Sequence, residues 1–208
     1  MEAEGDSENE KTFIEEQSIL DKYKAAAEVA DETIKKISEK IVPGADIAEL
    51  CYQADEMIEE GCLKVFHSKK TKKLRRGVAF PSSISVNHIL GNYSPLKDES
   101  SKLEEGDVAK VDLAVHIDGY IALSGHTVFV TEKKDEKVTG RAADVIQAAH
   151  QIKEAALRSI IPGNKNSQVT QVINKVAEEY KCKIVKGVFS HKLKKHVIDS
   201  DDVIASSV

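Results

Sequence analysis

Residues 107–130 read DVAKVDLAVHIDGYIALSGHTVFV, and the fold class follows from how this stretch bends. Apolar and β-branched residues fill both halves. Asp118-Gly119 stands at the centre, a pair suited to a tight turn with positive φ. The stretch is one long β-hairpin, with arms of about ten residues against the five or six of an average strand. Folding the turn brings Asp112 on the first arm and Leu123 on the second to roughly diagonal cross-strand positions, within side-chain reach. Carboxylates at both positions would make half of a metal site. This chain supplies one carboxylate and one hydrocarbon.

Working upstream, polar, turn-rich PLKDESSKLEEGD leads into the hairpin, and GVAFPSSISVNHILGNYSP reads as a strand with a loop. Pro81 makes that strand an edge or bulged one. Before it, Asp46 is a suitable N-cap for a helix over ADIAELCYQADEMIEEGC, with Glu49 three residues on. Leu20, Tyr23, Ala27, Ala30, Ile34 and Ile37 repeat at helical spacing and predict a long helix from about Glu15 to Ile41, ended by Pro43-Gly44. Downstream, a helix is predicted from about Arg141 to Ile161, with Ala149, Ile152, Ala156 and Ile160 on one side. A second helix over SQVTQVINKVAEEY and a strand from about Cys182 follow.

Ile41-Val42-Pro43-Gly44 returns as Ile160-Ile161-Pro162-Gly163, each time between two amphipathic helices and ahead of a strand containing Phe and Ser. The chain therefore reads as two helix–helix–strand units, 15–95 and 141–199, flanking the hairpin 107–130. Their helices are expected to pack on one curved, mainly antiparallel sheet, an α+β architecture. Residues 1–14 are predicted to be a disordered acidic tail.

The chain has 208 residues and a net charge of -5, but the charge is divided. Residues 1–16 hold seven acids against Lys11, a net -6, which leaves +1 for the remainder. Lys69, Lys70, Lys72, Lys73, Arg75 and Arg76 crowd into one run, and Lys181, Lys183, Lys186, Lys192, Lys194 and Lys195 form a second group. Clustered cations release counterions on meeting phosphates, which gives salt-dependent binding with little sequence preference. Few aromatics are interleaved, so structured RNA read through its backbone fits better than stacked single strands. Such a run also suits a nuclear import signal. Cys51, Cys62 and Cys182 are scattered and lack metal-ligand spacing, as expected of reduced thiols in cytosol or nucleus. No apolar run approaches the ~20 residues of a membrane helix, so no membrane insertion is expected.

The order of elements resembles the creatinase/methionine-aminopeptidase pita-bread fold. More closely, the sequence resembles the proliferation-associated (ErbB-receptor-binding) protein family, non-peptidase relatives of type 2 methionine aminopeptidase. The resemblance is carried by Lys22-Tyr23-Lys24, Gly77-Val78-Ala79-Phe80-Pro81, Lys110-Val111-Asp112-Leu113 and His116-Ile117-Asp118-Gly119. It continues through Gly140-Arg141-Ala142-Ala143-Asp144 and Ser190-His191-Lys192-Leu193 to Asp199. Members of that family are longer, so residues 15–208 are expected to be the N-terminal part of such a domain, with an incomplete sheet.

The related peptidases hold two metal ions with two Asp, one His and two Glu. The resemblance places the first Asp at Asp112, the second at Leu123 and the His at His191, with both Glu beyond Val208. The peptidases' substrate-binding His falls near Asn92. A leucine offers no lone pair, so the expectation is no enzyme, no bound metal and no cofactor. His116 and His126 beside Asp112 are a weak alternative ligand set. The resemblance also implies binding of RNA, ribonucleoprotein and protein partners, roles in ribosome biogenesis, translation and growth regulation, and residence in cytoplasm, nucleus and nucleolus. The alternative is a metal-dependent methionine aminopeptidase with an altered metal site. Oligomeric state is not legible.

Overall fold

The computed structural model describes residues 16–66, 68, 71–133, 135 and 137–207. The predicted tail 1–14 and the cations Lys69 and Lys70 lie outside these residues.

Helix α1, Gln17–Lys40, and helix α2, Ile47–Lys64, form an antiparallel pair. Asp46 caps α2 as expected: its Oδ1 accepts the Glu49 N–H at 3.0 Å and the Ser100 hydroxyl at 2.8 Å. Those bonds hold the Asp46 carboxyl below the usual carboxylate range. Strand β1, Arg76–Val86, pairs antiparallel with β2, Val108–Ile117, and β2 pairs with β3, Tyr120–Phe129. The order β1-β2-β3 puts β1 at an edge. Its register slips on both sides of Phe80, and Pro81, which has no N–H to give, sits in the second irregularity. Asp118 and Gly119 turn the hairpin with φ of 55° and 82°, the positive-φ pair the sequence called for.

Side chains alternate across a strand, and this decides where the core lies. Val111, Leu113, Val115 and Ile117 face the helices and are fully buried against Ala26, Ala30, Ile37, Ala54 and Ile58. The intervening residues, Lys110, Asp112, Ala114 and His116, face the other side of the sheet.

The second half repeats the order of the first: α3, Gly140–Ser159, then α4, Asn166–Glu179, then β4, Phe189–His191. The repeated loops also share a conformation. In each, proline and glycine occupy the middle of a type II turn: Gly44 and Gly163 have φ of 84° and 94°, and both turns close with a 3.1 Å hydrogen bond. Three expectations fail here. The strand predicted from about Cys182 is irregular chain until Phe189; Gly187 within it adopts a φ of 78°, which an extended strand cannot hold. The sheet is also not continuous: β4 pairs with a short strand, β5, Val203–Ala205, in a separate two-stranded ribbon beside α4. With only this ribbon beneath them, α3 and α4 cover mainly each other, and α3 buries Ala148 alone. Ala149 and Ile160, expected on its inner side, are exposed.

Leu113 lies under the middle of the hairpin with no exposed surface. Leu113→Ala is expected to lower unfolding stability by about 2–5 kcal/mol, transfer and cavity terms together, as read by urea denaturation.

Candidate functional site

The face of the sheet turned away from α1 and α2 carries Asp112 and Leu123, two of the three positions that the resemblance assigns to the peptidases' metal site. Asp112 pairs directly with Gly125, and Ala114 pairs with Leu123, so Leu123 is the diagonal neighbour of Asp112 on the same face. The strands bring together the two positions that the sequence singled out. A Cβ at Gly125 would lie 2.9 Å from Asp112 Oδ1, so the carboxylate rests against bare backbone. On the other flank Asp112 pairs with Ser83, which is 1% exposed and whose Oγ has no hydrogen-bond partner among the described residues. Burial pushes the Asp112 carboxyl above the usual carboxylate range, and neighbouring Lys110 only partly opposes this. Lys110 is itself lowered by burial and donates its ammonium to Asn87 O at 3.0 Å. Leu123 is 51% exposed and contributes a hydrocarbon surface where a second carboxylate would stand.

The third expected position is elsewhere. His191 belongs to β4, outside the sheet that carries Asp112. It is exposed, its Nδ1 meets the Ser200 carbonyl at 3.0 Å, and its ring stands edge-on to Phe189. The alternative ligand set fails on strand geometry. His116 shares the face of Asp112, but His126 pairs with Val111 and points to the α1 side, where it lines a groove of about 590 Å³ with Ile34 and Phe129. Among the described residues no three His, Cys, Asp or Glu side chains gather closely enough to hold a metal ion. One half-buried carboxyl, one leucine and an exposed histidine on a separate ribbon do not fit the two-metal centre of the related peptidases. Asn92 lies on an exposed loop with φ of 58°, and the adjoining Tyr93 N–H donates to Ser85 Oγ at 3.2 Å.

Of the basic run, Lys72, Lys73 and Arg75 are exposed on a turn closed by Ser68 and Thr71. Arg76 is different: its guanidinium donates to the carbonyls of Val65 and Phe66 and satisfies the end of α2. From the second basic group, Lys195 reaches Asp118, whose backbone bonds to that of Arg75 next to Arg76. The Arg75 carbonyl accepts the Asp118 N–H at 2.6 Å, and the Asp118 carboxylate receives Lys22 at 2.7 Å and Lys195 at 3.4 Å. Both ammonium groups also lie over the Tyr120 ring, at 5.1 and 5.4 Å, and Tyr23 packs edge-on beneath. The lysine hydrogen bond holds the Asp118 carboxyl low. Sequence reading valued Asp118 only for its turn and did not find this junction. A lysine–tyrosine pair on α1 and a lysine almost eighty residues after the turn offer no shared period.

Comparison with known proteins settles the family. The model of metallopeptidase family M24 matches residues 21–203. The chain belongs to this family. Its M24 relatives include ERBB-3 binding protein 1 of Arabidopsis thaliana, 42% identical over 99% of this chain and 52% of that protein. Proliferation-associated protein A of Dictyostelium discoideum is 44% identical over 90% of this chain and 48% of its own length. The chain thus spans about half the length of the curated relatives it matches. Among solved structures, a thermophilic Arx1 superposes with a TM-score of 0.83 at 25% identity, over 93% of this chain and 57% of its own. The architecture is the M24 pita-bread fold with part of its sheet.

Because the folded-state carboxyl of Asp112 titrates above its unfolded value, its contribution to stability is fully present below the unfolded pKa and is lost as pH rises through the folded one. Asp112→Asn is therefore expected to raise the melting temperature at pH 7 and to leave it nearly unchanged at pH 3. A lower melting temperature for the variant at pH 7 would show that the ionised carboxylate has a stabilising partner.

Proposed function

We propose that this M24 chain is a non-catalytic RNA- and protein-binding regulator acting in ribosome biogenesis, translation and cell growth. The observation that carries the proposal is Leu123, set diagonally across from a half-buried Asp112. Paired-metal hydrolysis requires anionic ligands that fix both ions and ready a water for attack, and this pair supplies a single acid. Relatives named for ErbB-3 binding and for proliferation support the regulatory side of the reading.

Support for RNA comes from the placement of cations. Lys72, Lys73 and Arg75 are exposed, Lys69 and Lys70 adjoin them in sequence, and the Arg75 carbonyl and the Lys195 ammonium both meet Asp118 at the hairpin turn. Exposed cations without interleaved aromatics suit a folded phosphate backbone better than a base-reading groove. Arg76 is left out of this surface because its guanidinium closes α2. Residence in cytoplasm, nucleus and nucleolus belongs to the same proposal, with the basic run as an import signal. Among the described residues no helix is long and apolar enough to cross a membrane.

Replacing Lys69, Lys70, Lys72 and Lys73 with Glu is expected to weaken binding to a structured RNA hairpin about tenfold or more at roughly 50 mM salt. The salt dependence should flatten by about 0.7–0.9 per lost phosphate contact. Circular dichroism should be unchanged. Equal affinity of the variant and the parent would remove RNA from the proposal. Stoichiometric divalent metal in the purified protein, together with cleavage of a Met-peptide, would instead establish the aminopeptidase reading.

A further inference from the structure

At the hairpin tip, Gly119 is hydrogen-bonded both within the hairpin and to the second half of the chain. The Gly119 N–H donates to His116 Nδ1 at 3.4 Å, and the Gly119 carbonyl accepts the His196 N–H at 2.8 Å. The His196 ring lies flush against Gly119, so close that a Cβ there would run into it. His196 sits at the turn of a small bridge between Lys194 and Val197, with φ of 62°. Beside it Lys195 meets Asp118. The tip is thus a socket, and the 194–197 turn is the part that enters it.

The proton state of the socket follows from its hydrogen bonds. His116 Nδ1 is an acceptor, so it carries no proton while the Gly119 N–H points at it. A proton added to His116 goes to that nitrogen. It removes the acceptor, and it sets a cation against the approaching His196 ring and its backbone. Every charged group facing the imidazole bears on this balance. Glu59 on α2 and Asp118 at the turn favour the proton, while His196 and the partial burial of the ring oppose it. Burial, then His196, prevail, and His116 is held below its ordinary value of 6.5. Asp118 stays charged throughout this range, because Lys22 holds it low. The lysine pair therefore keeps its anchor while the histidine changes state.

We propose that His116 is a pH-sensitive catch that seats the 194–197 turn on the hairpin tip when neutral and releases it when protonated. The sign follows from linkage. A depressed folded-state pKa means that the released state binds more protons in the window from about 6.5 downward, so docking strengthens as pH rises through that window and weakens below it. Release frees Lys195 and the exposed chain around it, and it loosens the junction at Asp118. The catch stands independently of what those groups bind.

The test is amide hydrogen exchange on the whole chain between about pH 7.5 and 5.5, bracketing the ordinary histidine value and corrected for intrinsic exchange. Protection of the His196 amide is expected to fall severalfold on acidification, while Leu113 and Val115 in β2 keep theirs. His116→Asn places a neutral acceptor where Nδ1 stands and should keep the His196 amide protected with little dependence on pH. His196→Gln removes the facing ring and should shift the midpoint of the response, read at the Val197 amide, toward 6.5. A flat profile in the parent protein overturns the proposal, and so does an unchanged acid response in His116→Asn. Parallel loss at Leu113 also overturns it, since that marks global unfolding.

Discussion

The period of two along β2 is the constraint from which the rest of this molecule follows. Odd positions from Val111 to Ile117 are hydrocarbon and vanish beneath α1 and α2. Even positions carry Lys110, Asp112 and His116 to the opposite face. A slip of one residue would exchange the two sets, burying a lysine, an aspartate and a histidine against the helices. The Asp118-Gly119 turn fixes the register and so keeps the chemistry on one side and the core on the other. The location of the candidate site, its isolation from His126 and the contact between Asp112 and Gly125 all descend from that register.

The first half of the chain is a small domain with its own core, and the second half is not. Residues 16–130 have two clusters of fully buried side chains beneath one sheet. Beyond Gly140, burial is limited to a few residues between α3 and α4, and Val145, Leu157, Ile160, Ile161, Val185, Val188 and Phe189 remain exposed. Among the described residues the two parts meet at the hairpin tip through the Asp118 charge cluster, the Tyr120 ring and the backbone bond from His196 to Gly119. A junction of that size positions the second half with little hydrophobic support, so polar contacts at Gly119 and Asp118 carry unusual weight.

What could be read in the residues depended on whether the signal was local. Helical stripes, the Asp46 cap, the Pro81 irregularity, the repeated Pro-Gly turns and the diagonal relation of Asp112 to Leu123 each arise within about twenty residues, and each was legible. The strand predicted from Cys182 failed because positive φ at Gly187 breaks it and, among the described residues, only Phe189–His191 finds a pairing strand. Strand β5 is three residues long and too short to show a period. The junction at Asp118 depends on Lys22, Tyr23, Lys195 and His196, residues far apart in sequence whose approach only the folded hairpin arranges. Arg76 stood in a row of cations and looked like one of them, yet the nearby end of α2 takes it.

The diagonal placement of Leu123 beside Asp112 also bears on what an acid at that position would meet. A carboxylate in place of Leu123 would set two anions diagonally across a pair of strands where one already resists ionisation, and each would raise the other's pKa. Without a cation at hand such a chain would bear the electrostatic burden of a paired-carboxylate centre and none of its chemistry. A single Leu123→Asp substitution is thus uphill, and the hydrocarbon is the side chain that this stretch of sheet accommodates at least cost.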